Sequence, residues 1–161
     1  IIENNICYNT NSQVFHQHYG RENTVRNNIF AFGGEALVAY SRTTPGSLGF
    51  SMIGNIIITD QTPIFSGGYG FRLSDRSHIS DLNVLYDISG APLVFGYGNQ
   101  SQTLADWQAL GHDRHSVTTD PKCKDPRQGD FTLAEDSPAI ALGFQPIDMS
   151  DVGPRPRDER H

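Results

Sequence analysis

One polar residue returns in register four times along the chain, and nothing else in the sequence restricts the fold as much. The phrases are Glu3-Asn4-Asn5-Ile6, Arg26-Asn27-Asn28-Ile29, Ile53-Gly54-Asn55-Ile56 and Asp81-Leu82-Asn83-Val84. The second position of the polar pair falls at 5, 28, 55 and 83, at spacings of 23, 27 and 28 residues. A period in the twenties that preserves one polar position is the mark of a solenoid. Each phrase leads into an apolar stretch, and a second one follows at a near-constant offset: Val14-Phe15-His16, Leu37-Val38-Ala39, Ile64-Phe65-Ser66 and Pro92-Leu93-Val94. The pattern predicts an all-β chain, a right-handed parallel β-helix of about four rungs. The asparagines stack at the strand spacing of about 4.8 Å, each sitting at a tight bend where it tolerates unusual backbone angles. An amide carries both a donor and an acceptor, so a stacked column satisfies itself. The alternative is four unrelated asparagines in an Asn-rich chain.

The strand after each asparagine is apolar on both faces. One face carries Ile6, Ile29, Ile56 and Val84 and is expected inside. The other carries Cys7, Phe30, Ile57 and Leu85. A stack of that kind facing outward requires a cover, and the C-terminal tail is expected to supply it through Phe131, Leu133, Ile140, Leu142 and Phe144. The rungs occupy residues 1–100 and a capping helix and tail occupy 101–161, within one domain. Thr103 to Leu110 reads as a short helix with Thr103 as N-cap, Asp106 in the first turn and Gly111 at its end. The prolines beyond it make the rest an extended C-terminal strap. The chain does not begin with Met and starts within a rung, which reads as the last part of a longer protein. Cys7 and Cys123 either pair across a folded-back tail or stay free.

The formal charge of −6 argues against a nucleic-acid partner gripped by a basic face, and no apolar run reaches membrane-spanning length. The densest chemistry lies at His16-Gln17-His18-Tyr19-Gly20-Arg21-Glu22. Strand alternation puts His16 and His18 on one face. If Phe15 points inward with Val38, Phe65 and Leu93, both histidines line an outer groove. There they can bind sugar hydroxyls or orient a carboxylate. Tyr19 offers a ring for stacking, Arg21 a clamp, and Glu22 an acid or base. Arg42 follows the same strand one rung on, and Asp75, Arg76 and His78 lie at the matching place further along. Glu22, His18 and Asp75 are the catalytic candidates. His16, Tyr19, Arg21, Arg42, Arg76 and His78 are the substrate-binding ones. The plainer readings make His16 an interior residue, Arg21 and Glu22 a surface pair, and Asp75 a turn residue. Two histidines without a carboxylate trio form a weak ligand set, so neither metal nor cofactor is expected. His115 reads as an anchor for the strap, and Asp60 and Asp87 as turn formers.

Two stretches carry a resemblance to a known group. One runs from Phe15 to Ala31. The other comprises Asp113-Arg114-His115-Ser116-Val117, Asp120-Pro121, Gly129-Asp130-Phe131-Thr132-Leu133, Ser137-Pro138-Ala139, Gly143-Phe144 and Asp148 to Gly153. Together they resemble the C-terminal part of large secreted bacterial β-helix glycoside hydrolases of the fucosidase and xylanase type. The resemblance implies a polysaccharide or oligosaccharide partner, hydrolysis by paired carboxylates in the whole protein, and an extracellular or periplasmic location. Two other readings are a non-catalytic glycan-binding or capping piece, and an assembly element. An uncapped first rung would favour a homodimer through that end.

Overall fold

In the computed structural model, which describes residues 1–42, 46–67, 77–97, 100–150 and 152–153, each repeat folds as three short strands separated by bends. The first repeat gives β1 (Ile2–Glu3), β2 (Ile6–Thr10) and β3 (Gln13–His18); the second β4 (Asn23–Arg26), β5 (Ile29–Gly33) and β6 (Ala36–Arg42). The third gives β7 (Phe50–Ile53), β8 (Ile56–Thr59) and β9 (Phe65–Gly67), and the fourth β10 (His78–Asp81), β11 (Val84–Asp87) and β12 (Val94–Tyr97). Equivalent strands stack in parallel as β1-β4-β7-β10, β2-β5-β8-β11 and β3-β6-β9-β12. The fold is a parallel β-solenoid. Counted from one strand to the next above it, the path makes about three turns rather than the four rungs anticipated. After β12 the chain does not wind again. It reverses into β13 (Gln100–Thr103), antiparallel to β12.

The four asparagines form one column. Asn5 Nδ2 donates to Asn28 Oδ1 at 2.9 Å, Asn28 Nδ2 to Asn55 Oδ1 at 3.0 Å, and Asn55 Nδ2 to Asn83 Oδ1 at 3.2 Å. Each acceptor also takes the backbone N–H of the asparagine below, at 2.8–3.0 Å. Asn28, Asn55 and Asn83 are buried, so these bonds replace water the amides have lost. One detail differs from expectation. The residue in the left-handed region is the one before each ladder asparagine: Asn4 (φ 58°), Asn27 (φ 51°), Gly54 (φ 67°) and Leu82 (φ 56°). The bend is made one position early, which leaves the ladder residue free to aim its amide along the column. At Leu82, where a side chain resists this geometry, Asp81 Oδ1 accepts the Leu82 N–H at 2.9 Å.

The two faces of the second sheet are the reverse of the expected assignment. Phe30, Ile57 and Leu85, with Cys7 against them, belong to the interior cluster with Val25, Leu37, Val38, Tyr40, Phe50 and Met52. Ile29, Ile56 and Val84, with Ile6 beside them, point out and lie beneath the tail with Ala31, Ile58, Phe131, Ala139 and Phe144. A strand apolar at every position reads the same in either parity, so period-two logic had nothing to choose between. The tail does supply the cover, but over Ile29, Ile56 and Val84 rather than over the row Cys7, Phe30, Ile57 and Leu85. Phe131, Leu133, Leu142 and Phe144 supply it, joined by Ala139 and Ile147; Ile140 is not among the packed residues. The third sheet holds a second difference. Phe95, not Leu93, stacks on Phe65, because the fourth repeat runs two residues longer before it pairs.

The tail is tied down at several points. Helix α1 (Leu104–Ala109) begins at a capping box in which Thr103 and Asp106 bond each other's backbone N–H, as the sequence indicated. Its Trp107 is buried against Phe95 and Phe65. Beyond it, β14 (Cys123–Asp125) and β15 (Asp130–Leu133) form an antiparallel pair, and α2 (Pro138–Ala141) follows. The Asn27 side chain bonds Gln145 as a strand would, donating to its carbonyl at 2.9 Å and accepting its N–H at 2.7 Å. Arg127 reaches Asp60 at 2.9 Å and lies over the Phe32 ring. Both cysteines are free. Cys7 packs on the inner side of the second sheet and Cys123 on the outer. Burial, then Asp120 and Asp130, push the Cys123 thiol up to about 12, so it is a packing residue rather than a nucleophile.

Candidate functional site

The face that gathers polar groups is the outer side of β3 and β6. Phe15 turns inward to stack on Phe30, with ring centroids 6.0 Å apart, and alternation sends His16 and His18 out, where both are exposed. Phe15, His16 and Gln17 pair with Val38, Ala39 and Tyr40, but His18 pairs with Arg42. One extra residue, Ser41, is therefore bulged out of β6, a device that re-aims a side chain. Its hydroxyl meets both imidazoles. His16 Nε2 lies 2.6 Å from Ser41 Oγ and His18 Nδ1 2.9 Å from the same atom. A hydroxyl can donate to one ring and accept from the other. The His16 and His18 rings stand edge-to-face at 6.0 Å, and Tyr19 stands edge-to-face on His18 at 5.0 Å.

The turn that follows is braced from inside. Tyr19, Gly20 and Glu22 all have positive φ, at 56°, 76° and 58°. Gln17 is buried beneath them; its Nε2 donates to the Tyr19 carbonyl and its Oε1 accepts from Asn23 Nδ2 at 3.1 Å. A Cβ on Gly20 would come within 2.6 Å of Gln17 Nε2, so a side chain there would displace the brace. The result is a tip that presents Tyr19, 49% exposed, together with the exposed Arg21 and Glu22. Among the described residues Arg21 and Glu22 form no ion pair with each other. His16, His18, Tyr19 and Arg42 are thus brought together with Ser41, and Arg21 and Glu22 lie on the adjoining turn. Asp75 and Arg76 lie outside the described residues.

His78 is a correction. It is 4% exposed and lies in the interior, stacked on Phe65 at 4.8 Å, Phe50 at 5.6 Å, Trp107 at 5.4 Å and His112 at 4.2 Å. His78 pairs with Phe50 and Ser80 with Met52, so these two point inward while Ile79, an apolar residue, is the exposed one. Sequence position equivalent to the first repeat's turn did not carry over, because the strand begins at His78 itself. Desolvation, with the charge of His112 adding to it, holds the His78 pKa well below 6.5. Desolvation also lowers His112, although Asp113 opposes the shift.

These two rings make stability sensitive to mild acid. Both are neutral in the folded protein, whereas the unfolded chain binds protons as pH falls through about 6.5. Stability is complete above that value. It declines below it, at up to about 1.4 kcal/mol per pH unit for each histidine, until the lowered folded pKa is reached. Urea midpoints between pH 7 and 5 should therefore fall, and His78→Phe should flatten the slope. An equal slope in the variant would mean that other groups carry it. Carboxylates held low, such as Asp81 and Asp130, add a loss of stability of their own only as pH falls below about 4.

Ser41 and Gln17 were not expected at the site. A bulge leaves no periodic trace, but the run Ala39-Tyr40-Ser41-Arg42 is one residue too long to keep Arg42 beside His18 without one. His115 anchors the strap as expected, its Nδ1 2.7 Å from Asp81 Oδ2. Asp87 is a turn former, accepting from Gln61 N at 2.9 Å and Ser89 N at 2.8 Å. Among the described residues no group of three or more His, Cys, Asp or Glu is gathered to hold a metal, and no helix is long and apolar enough to cross a membrane. A cavity of about 620 Å³ opens under the strap between Ile6, Tyr8, Ile29, Phe131, Phe144 and Met149. It adjoins the second sheet, away from the histidine row. Comparison with protein-family models, with curated proteins and with solved structures finds no match.

Proposed function

We propose that the outer face of β3 and β6 is a glycan-contacting surface, and that this chain is the C-terminal portion of a carbohydrate-active β-helix protein. The observation that carries the reading is the row Tyr19, His18, Ser41 and His16: an exposed ring beside three hydrogen-bonding side chains on paired parallel strands. Sugars present apolar C–H faces and rings of hydroxyls, and such a row offers a stacking partner with donors and acceptors to match. Arg42 and Arg21 add cationic donors suited to acidic sugars. Hydrolysis would require two carboxyl groups about 5–10 Å apart. Glu22 is one candidate, and Asp75, which occupies the matching place two repeats further along the sequence, is the other. Binding rests on described side chains alone and is the reading favoured here.

Titration with neutral and acidic plant and algal oligosaccharides tests it. Tyr19→Ala and His18→Ala should each weaken binding by about tenfold, equivalent to about 1.4 kcal/mol. Both side chains are exposed, so melting temperature should not move. Loss of binding with an unchanged melting temperature supports the reading. Unaltered binding in both variants, or no binding by the parent chain, refutes it.

A further inference from the structure

We infer that His16, His18 and Ser41 form a site for a borderline divalent transition metal, with Cu²⁺ bound most tightly and Ni²⁺ and Zn²⁺ more weakly. Two imidazole nitrogens on one strand face converge on a single hydroxyl oxygen at a bulge. The same three side chains belong to the glycan-contacting row, but the inference does not need that reading to hold.

The geometry is favourable for a reason the sequence alone did not show. Histidines at i and i+2 on a strand share a face, but they usually splay. Here both approach one point, with His16 Nε2 at 2.6 Å and His18 Nδ1 at 2.9 Å from Ser41 Oγ. Metal–imidazole bonds are about 2.0–2.1 Å long, so a metal held by both rings requires their nitrogens to turn from the hydroxyl toward a shared point, which exposed side chains can do. Imidazole suits Cu²⁺, Ni²⁺ and Zn²⁺, and the Irving–Williams order puts Cu²⁺ first among them. The Ser41 hydroxyl is a weak third donor, and the remaining positions are open to water or an external oxygen ligand. The strand is fixed by parallel pairing to β6, so the two rings are held near each other before metal arrives. Two groups bear on affinity. Arg42, paired with His18, opposes a second cation, while the chain's net charge of −6 favours one.

The test is calorimetric titration of the whole chain with Cu²⁺, Ni²⁺ and Zn²⁺, with electron paramagnetic resonance of the Cu²⁺ complex. The expected result is one tight equivalent of Cu²⁺, with nitrogen hyperfine structure from two imidazoles. His16→Ala and His18→Ala should each weaken it at least about tenfold and reduce the spectrum to one imidazole. Ser41→Ala should change affinity far less. His115→Ala serves as the control for another exposed histidine and should leave binding intact. Circular dichroism establishes that each variant is folded. Absence of one-to-one binding by the parent chain overturns the inference, as does binding undiminished in the His16→Ala/His18→Ala double variant.

Discussion

Replacing Asp113 with alanine should lower stability by about 3–5 kcal/mol, since it strands several buried donors at once. Asp113 is where the asparagine column ends. Asn83 Nδ2 donates to its Oδ1 at 2.9 Å, Ser116 Oγ to the same oxygen at 2.6 Å, and Trp107 Nε1 to Oδ2 at 2.8 Å. Ser116 Oγ in turn accepts the Asn83 backbone N–H at 2.9 Å. The pair divides between two side chains the work a single amide oxygen does on every other rung. The residue is 1% exposed, so water cannot take over. Alanine would leave the Trp107 indole and the Ser116 hydroxyl without this acceptor and would take from the Asn83 amide the shortest of its three contacts, leaving it the Met52 carbonyl and Ser80 Oγ at 3.1 Å each. A melting temperature lower by roughly 10 °C or more is the expected reading. Asp113→Asn keeps one acceptor and should cost less. Asn55→Leu, which removes the acceptor for Asn28 and the amide donor to Asn83, should cost about 1–3 kcal/mol. If Asp113→Ala melts like the parent chain, the column does not depend on its terminator.

Removing every residue after Gly111 should make the protein insoluble. The deletion takes away Asp113 and Ser116, and also Val117, whose N–H and carbonyl bond Asn83 and Leu85 at 2.9 Å each. It also removes the strap. Ile29, Ile56, Ile58 and Val84, none more than 1% exposed in the whole chain, would then form an open ridge along the second sheet. Contiguous apolar patches of that kind drive association in water. The measurement is the soluble fraction on expression, followed by size-exclusion chromatography. A soluble, monomeric, folded 1–111 chain would show that the strap is dispensable as a cover.

What could be read from the sequence follows from which signals survive averaging over a repeat. The ladder positions, the helix cap at Thr103 and the need for a tail cover each rest on one residue type with one physical role. The parity of the second sheet could not be read. Ile56-Ile57-Ile58 is apolar both inward and outward, and the deciding contacts come from Phe131 and Phe144, far along the chain. At the candidate site, alternation placed His16 and His18 correctly on the outside, yet it said nothing of Ser41, because a bulge is a break in the period. His78 was misplaced for the same reason. A loop of different length shifts the strand start, and one residue of shift exchanges inside for outside.

The column of amides has a direction. Every rung hands two donors upward and offers one doubly used oxygen downward, from Asn5 to Asn28 to Asn55 to Asn83. An internal rung thus has matching connectors on its two sides, and a copy of it fits between its neighbours. The Asp113–Ser116 pair accepts but presents no such donor onward, so it works only as the last link. A chain built this way can be lengthened by duplicating a middle repeat, and each insertion would leave the terminator undisturbed. Unequal spacings of 23, 27 and 28 residues between rungs fit that modularity, because the connector, not the loop length, decides whether a repeat belongs.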